Sequence, residues 1–451
     1  MVGGVTGGVI NELPAMLRLA LPVVAAELGW VAMSLVDTIM VGRVSAVALG
    51  AVSIGSMLFY TVATFTAGLM LGLDTLVSQA YGAGDIRSCH RSLLNALYLY
   101  LPLPPLIMLL VWWAGPLLAA FGVDAEVARQ ANSYLRAVAW GSLPLLLYFA
   151  FRRYLQAMNL VKPVMFALIS ANAVHLLANW IFIYGNWGAP ALGATGAGWA
   201  TCFSRVYMAA CLVTYTVWHE RRNQTGWHDI SLGPDWVRMR HLLRLGLPAG
   251  FQISLEVGVF AAATALIGRL SPVTLAAHQI ALNCATITYM VPLGIGSAAA
   301  VRVGQAVGRR DAEGARFAGW TAILLGALFM AVMGALFLLV PRVILRAFTT
   351  DLHIIDAGVG LLFIAAVFQM FDGVQTVSTG ALRGLGDTHT PMLCNLIGYW
   401  IIGLPVGYWL CFEKGQGAQG LWIGLCFALI LISVTLLTIW SRRRVVVQFE
   451  V

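Results

Sequence analysis

Long apolar runs separated by short polar or Gly-rich turns make up almost the whole chain. Crossing the hydrocarbon of a bilayer takes about 20 helical residues. Runs of that length lie near 14–40, 47–79, 92–114, 131–151, 163–184 and 196–218. A second set lies near 246–268, 274–301, 317–340, 357–381, 391–412 and 420–440. One long polar stretch, 219–244, divides these twelve segments six and six. The runs lack the two-residue alternation of a barrel strand, and lipid offers no partner to an open backbone edge, so the pattern predicts helices. Pro102, Pro104, Pro105, Pro144, Pro292 and Pro405 fall within spans and predict kinks.

Composition agrees with the pattern. Of 451 residues, 60% are hydrophobic and 10% charged, against about 25% charged in a soluble domain. With a mean hydropathy of +0.84, this excludes a cytosolic enzyme, a disordered chain and a secreted disulfide scaffold. The expectation is an all-α polytopic membrane protein. The seven cysteines form no C-x-x-C pair and imply neither a disulfide framework nor a zinc site. No short apolar stretch ends in a cleavage site; the first apolar run continues as the first span.

In a soluble protein a net charge of +8 would suggest nucleic acid, but here excess Arg reads as positive-inside loop charge. With residues 1–13 inside, 19 of the 27 basic residues collect on the inner side and 7 on the outer, Arg205 lying within a span. Both termini are therefore expected in the cytoplasm.

The halves resemble each other. Arg18-Leu19-x-Leu21-Pro22 recurs at Arg244-Leu245-x-Leu247-Pro248, an offset of 226 residues. Gln79-Ala80-x-Gly82-x-x-Asp85 recurs at Gln305-Ala306-x-Gly308-x-x-Asp311 with the same offset. Six spans separate the copies, so both repeats share one orientation, related by an axis along the membrane normal. The expected organisation is an N-terminal six-helix lobe (1–220), a cytoplasmic inter-lobe segment (221–244) and a C-terminal six-helix lobe (245–451). Such an architecture belongs to secondary transporters that bind substrate between their lobes. Neither Lys162 nor Lys414 fits a Walker A loop, so no ATP engine is present in the sequence. The Gly193-x-x-Gly196-x-Gly198 stretch opens a span, and close helix packing accounts for its glycines better than phosphate binding.

Five acidic residues fall within spans: Glu27, Asp37, Asp74, Glu256 and Asp372. A carboxylate at depth costs about 2.5–3.5 kcal/mol on insertion scales, so it is neutralised, paired or turned to water. The sequence offers no intramembrane Lys or Arg as permanent partner apart from Arg205. Asp37, Glu256 and Asp372 are therefore the candidate ion-coupling groups, able to load a proton and release it when a cation arrives. Asp74 sits close to a turn, which favours a structural role. Helical spacing places Phe368, Asp372, Gln375 and Thr376 on one face. It places Gln279, Asn283 and Thr286 on another, and Asn172, His175 and Asn179 on a third. Tyr289 and Phe371 are candidate cavity aromatics.

These residues carry a resemblance. Val36-Asp37-Thr38-Ile39-Met40-Val41-Gly42-Arg43 resembles the first-helix signature of the multidrug and toxic compound extrusion (MATE) family. So do Leu255-Glu256-Val257, the Ala277-to-Asn283 segment, and the Ala366-to-Gln375 segment followed by Gly380-Ala381-Leu382-Arg383-Gly384. The likeness is to the NorM-like bacterial branch and runs from about residue 14 to 440. It implies an antiporter of the bacterial inner membrane, not an enzyme, that exports lipophilic cations by alternating access. It implies no cofactor, only a coupling H+ or Na+ held by Glu256 and Asp372, with Asp37 the matching N-lobe carboxylate. Asn172, His175, Asn179, Gln279, Asn283, Tyr289, Phe368 and Gln375 are the supporting or substrate positions.

Three positions depart from that branch. Phe368 stands where Tyr is common, His175 replaces the first member of a helix-5 Asn pair while Asn179 keeps the second, and Glu27 replaces a neutral polar residue. Fewer neutral oxygen ligands and more titratable groups favour proton over sodium coupling. The alternative transporter, a lipid-linked precursor flippase of the same superfamily, should carry several cavity Arg or Lys. An embedded enzyme should show a His/Asp cluster or nucleophile–base spacing, and the eight histidines show neither. A monomer that contacts membrane lipid and binds small lipophilic cations, not nucleic acid, is expected.

Overall fold

The computed structural model describes residues 2–113, 118 and 122–443, and every regular element among them is helical. In chain order these are α1 Val2–Gly42, α2 Ala46–Leu69, α3 Leu71–Gly82, α4 Ile86–Tyr100, α5 Leu103–Trp112, α6 Ala125–Trp140, α7 Ser142–Ala157, α8 Val161–Tyr184 and α9 Ala194–Asn223. There follow α10 Trp236–Ile267, α11 Pro272–Gly308, α12 Ala312–Leu339, α13 Pro341–Arg346, α14 Leu352–Gly384, α15 His389–Asn395, α16 Leu404–Tyr408 and α17 Gly417–Arg442. Two π-helical runs, Leu396–Gly403 and Trp409–Glu413, join α15 to α16 and continue it, so His389–Glu413 is one span. Ten continuous helices are long and apolar enough to cross a membrane, and α6 with α7 forms an eleventh, bent by 47° at Gly141. The twelfth expected span is α9, whose 30 residues reach about 45 Å at 1.5 Å each and carry Arg205 mid-helix.

The repeat is visible in the turns. After α1 the Ser45 hydroxyl caps α2 by accepting from the Ala48 amide (3.0 Å); 226 residues on, Ser271 caps α11 through Thr274 (3.1 Å). Gly84 (φ +79°) and Arg310 (φ +61°) are equivalent left-handed residues that stop α3 and α11. Each is followed by an Asp whose carboxylate caps the next helix: Asp85 accepts from Ser88 (2.9 Å) and Asp311 from Gly314 (2.7 Å). The Gln-Ala-x-Gly-x-x-Asp repeat is thus the recipe for a stop-and-restart between antiparallel helices.

By compactness the chain forms two units, Met1–Val24 with Leu247–Val451, and Ala25–Gly246. This division differs from lobes drawn at 1–220 and 245–451, because helix starts are exchanged. Early α1 packs among second-half helices: Arg302 Nε donates to Glu12 (2.6 Å) and Thr321 Oγ1 to the Val9 carbonyl (3.3 Å). A side chain at Gly294 would press within 2.9 Å of the Val24 Cα. Correspondingly, early α10 packs among first-half helices, where a Cβ on Gly72 would meet the Leu242 carbonyl at 2.8 Å. The segment 221–244 is likewise anchored to its own unit, by Arg87 to Asp229 (3.0 Å) and Tyr98 to the Leu232 carbonyl (2.8 Å). Apolar patterning cannot reveal such an exchange, since both partners are equally apolar.

The glycines of 193–198 do serve packing. A Cβ on Gly196 would collide with the Phe182 carbonyl, and one on Gly198 would lie 2.9 Å from the Tyr134 carbonyl.

Because Asp85 and Asp311 cap the same turn in two copies, Asp85→Ala and Asp311→Ala should each cost about 1 kcal/mol, read from thermal unfolding in detergent. Burial raises the Asp85 carboxyl, but bonds from Ser88 with Arg238 and Arg91 nearby outweigh it and hold the group below its ordinary value. Its folded value being depressed, the Asp85 contribution is present at neutral pH and is lost as pH falls through the lowered value. An Asp85→Ala penalty unchanged at acid pH would contradict the capping role.

Candidate functional site

The intramembrane acids divide by partner. In the Ala25–Gly246 unit, Glu27 on α1 pairs with Arg152 on α7, both buried. Asp74 on α3, also buried, pairs with Arg153 at 3.3 Å. The expectation that Arg205 alone could serve as an intramembrane cation is corrected: Arg152 and Arg153, two of the 19 inner-side charges, are turned inward by the fold. Glu27 and Asp74 are held by fixed positive charge.

Asp37 has a different environment. Its Oδ1 lies 2.7 Å from His175 Nε2 and accepts from Asn179 Nδ2 at 2.6 Å. His175 and Asn179 are one turn apart on α8 and fully buried, so the helical stripe read from the sequence does converge on Asp37. The other ring nitrogen, Nδ1, lies 3.0 Å from Ser204 Oγ on α9, a partner the sequence reading missed. Asn172 does not join them; its amide returns to the Leu168 carbonyl (2.9 Å) one turn back. Arg205 is buried with its guanidinium 4.4 Å from the Phe59 ring centre and bonds the Val138 carbonyl (3.3 Å).

The second site lies in the Leu247–Val451 part. Glu256 on α10 accepts from Asn395 Nδ2 (3.3 Å), whose Oδ1 accepts from Gln375 Nε2 (3.2 Å). Gln375 Oε1 in turn accepts from the Tyr399 hydroxyl (3.3 Å). Gln375 and Tyr289 also come within hydrogen-bonding reach of Glu256, and Asp372 is close enough to feel its charge. Asp372 is buried on α14, one turn before Gln375 and Thr376. Asn395 and Tyr399 lie four residues apart where α15 passes into its π-helical run, and Trp400 Nε1 fixes that run to the Leu255 carbonyl (2.9 Å). Sequence reading missed Asn395 and Tyr399; a buried Asn four residues before a Tyr was the available signal.

Phe368, where a Tyr hydroxyl is common, packs edge-on against Phe260 and Trp422, ring centres 6.0 Å apart in each case. Gln279, Asn283 and Thr286 form an exposed stripe and are not gathered to Glu256. His278 is buried between Trp422 and Thr264.

Among the described residues, no Lys, Arg or His pairs with Glu256 or Asp372. Neighbouring carboxyls surrounded by amides and phenols, in a low-dielectric setting, favour arrival of a mobile positive charge or a proton. The oxygens of Glu256, Asp372 and Tyr289 suit a hard cation chemically, and the carboxyls equally suit protons. The ion is cargo in either case.

Arg152→Met should strand Glu27 and cost about 3–5 kcal/mol, whereas Arg152→Met with Glu27→Gln should recover most of it. Thermal stability of the solubilised protein checks this; a double variant no better than the single would remove the ion pair from the account.

The family model MatE matches residues 22–181 and 248–409, two segments that begin 226 residues apart, as the repeat does. The chain is 37% identical over 440 residues to a probable multidrug resistance protein NorM of Mesorhizobium japonicum, covering 96% of this chain and 94% of that one. It is 32% identical to a multidrug resistance protein NorM of Aliivibrio fischeri over 441 residues, covering 96% and 95%. The crystal structure of the eukaryotic MATE transporter AtDTX14 superposes with a TM-score of 0.89 at 21% identity, covering 97% of each chain. An outward-facing multidrug resistance MATE transporter gives 0.86 at 19% identity, covering 97% and 96%. These structural likenesses establish the fold, with both six-helix halves present. On the family match and the relatives' identity over nearly the whole chain, this multi-pass bacterial membrane protein belongs to the MatE family of transporters.

Proposed function

We propose that the protein is a secondary antiporter that exports lipophilic cations in exchange for protons or sodium by alternating access. The observation that carries this reading is the Glu256–Asp372 site, a buried Asp372 close to a half-buried Glu256 that takes its hydrogen bonds from neutral polar groups. A permanent cation there would stop it from loading and unloading. The relatives' designation as multidrug resistance proteins supports export of small molecules.

Coupling follows from energetics. One elementary charge moved through 100 mV is worth about 2.3 kcal/mol, and a proton or sodium ion can spend it only if ion and drug prefer different conformations. In this reading Glu256 and Asp372 take the inbound ion, and Asp37 serves substrate or proton in the other unit. The flippase reading is disfavoured because Arg152 and Arg153 are already neutralised by Glu27 and Asp74. Arg205, mid-way along α9, bonds the Val138 carbonyl and lies over the Phe59 ring.

Asp372→Asn keeps size and polarity while mimicking a permanently protonated carboxyl. It should abolish gradient-driven ethidium efflux from loaded vesicles at matched protein level, and Glu256→Gln should do the same. Efflux at the unsubstituted rate in Asp372→Asn would return Asp372 to a structural role.

The charge distribution further supports inner-membrane placement with cytoplasmic termini, and the protein is read as a monomer. Cys introduced at Asn223, the exposed last residue of α9, should resist an impermeant thiol reagent added outside intact cells. Ready labelling would invert the topology.

A further inference from the structure

Counting protons on the buried histidines separates one of them from the rest. Around His278, Trp422 Nε1 donates to Nδ1 (3.0 Å) and Thr264 Oγ1 donates to the Phe260 carbonyl (2.9 Å). The ring therefore carries its single proton on Nε2, directed at Thr264 Oγ1 (2.9 Å), and every contact is satisfied by a neutral imidazole. At His90, Thr225 Oγ1 donates to Glu220, so Nε2 donates to Thr225 Oγ1 (3.0 Å) and Nδ1 accepts from the Tyr154 hydroxyl (2.7 Å). That ring is also neutral.

His175 comes out differently. Ser204 Oγ lies 2.8 Å from the Ala200 carbonyl oxygen. Two oxygens that close need a proton between them, a carbonyl has none, and the hydroxyl has only one. Ser204 is thereby committed as a donor, so His175 Nδ1, at 3.0 Å, must donate to it. The neutral ring has then used its proton, yet Nε2 still faces Asp37 Oδ1 at 2.7 Å. Asn179 Nδ2 does not fill this gap; it donates to Oδ1 from the side (2.6 Å) and sits 3.1 Å from Nε2. A bare nitrogen lone pair against a bare carboxylate at that distance is repulsive, so the pair holds one further proton.

We propose that Asp37 and His175 form a proton-sharing pair that binds one exchangeable proton, and that His175 makes this site select a proton over a metal cation. The proposal rests on the export reading and names the ion its first-helix site handles. A metal would meet one carboxylate oxygen, an imidazole nitrogen and the N–H side of an amide, a poor donor set. Loaded, the pair is neutral, as carboxyl with imidazole or carboxylate with imidazolium. Loss of the proton to water leaves one negative charge, which a lipophilic cation restores to neutrality. One proton out for one monovalent cation in is electroneutral, and the two compete.

Other titratable groups face the pair. Tyr134 on α6 and Arg205 on α9 act on Asp37, Cys202 lies beside Arg205, and Tyr184 on α8 donates to the Met40 carbonyl (2.8 Å). Arg205 keeps its charge in every state, so it sets how tightly the proton is held without changing the count.

The test uses full-length protein with 15N-labelled histidine in lipid, the His175 signals being those lost in His175→Gln. The unsubstituted protein should show Nδ1 protonated with and without tetraphenylphosphonium, and the Nε2 signal should move from that of a nitrogen sharing a proton with Asp37 to that of a bare lone pair when that cation saturates the protein. An Nδ1 without a proton would overturn the proposal, since His175 would then be an ordinary neutral donor to a carboxylate. In parallel, protons released on adding tetraphenylphosphonium in weak buffer should fall by one in His175→Gln and in Asp37→Asn. Weaker binding with an unchanged proton count would leave His175 structural and defeat the proposal. Failure of the unsubstituted protein to bind the cation would sink the export reading instead, and the Nδ1 signal alone would then decide the pair.

Discussion

A carboxylate surrounded by hydrocarbon must obtain a positive charge, a proton or a dense shell of donors, and the organisation of this protein follows from how each acid meets that demand. Glu27 and Asp74 obtain arginines on α7 and become fixed parts of the scaffold. Glu256 obtains the amides of Asn395 and Gln375 and the phenol of Tyr289, with Asp372 close by, and among the described residues neither acid has a cationic partner. Asp37 lies between these cases, with a histidine whose charge is conditional. Fixed partners make structure, and conditional or absent ones leave room for a mobile ion; α1 carries one of each, Glu27 and Asp37.

The same scarcity of partners shapes the backbone. Every described element is helical because lipid satisfies no amide, and spans are joined by turns that stop one helix and cap the next within a few residues. Gly84 with Asp85 and Arg310 with Asp311 perform this operation at equivalent places. A duplicated six-helix unit needs each such turn twice, which is why the repeat is clearest at turns and faint in the interchangeable apolar runs.

That contrast explains how much was legible in the sequence. The spans, the 226-residue repeat and the three unusual acids were readable, since each is a local departure from an apolar background. Convergence of His175 and Asn179 on Asp37 was half readable: their one-turn spacing gave the stripe, but not what faced it. Pairing of Arg152 with Glu27 spans 125 residues and depends on how α7 rotates against α1, which hydropathy does not encode. Asn395 and Tyr399 share a face by their four-residue spacing, but that the face meets Gln375 and Glu256 depends on packing between helices, which hydropathy does not encode. Gln279 and Asn283 form the stripe that their spacing predicts, and the fold leaves it exposed, away from Glu256.

The central claim is that carboxyls without a fixed cation carry the coupling ion against the exported one. Its most direct test is counterflow in liposomes containing the purified protein and a trapped pH dye, with a tetraphenylphosphonium gradient as the sole driving force and no sodium present. Inward movement of the organic cation should drive protons out and raise the lumenal pH, or, if sodium is the coupled ion, should begin only when sodium is supplied and drive sodium out. Tetraphenylphosphonium crossing through the protein with neither proton nor sodium counterflow would contradict the account.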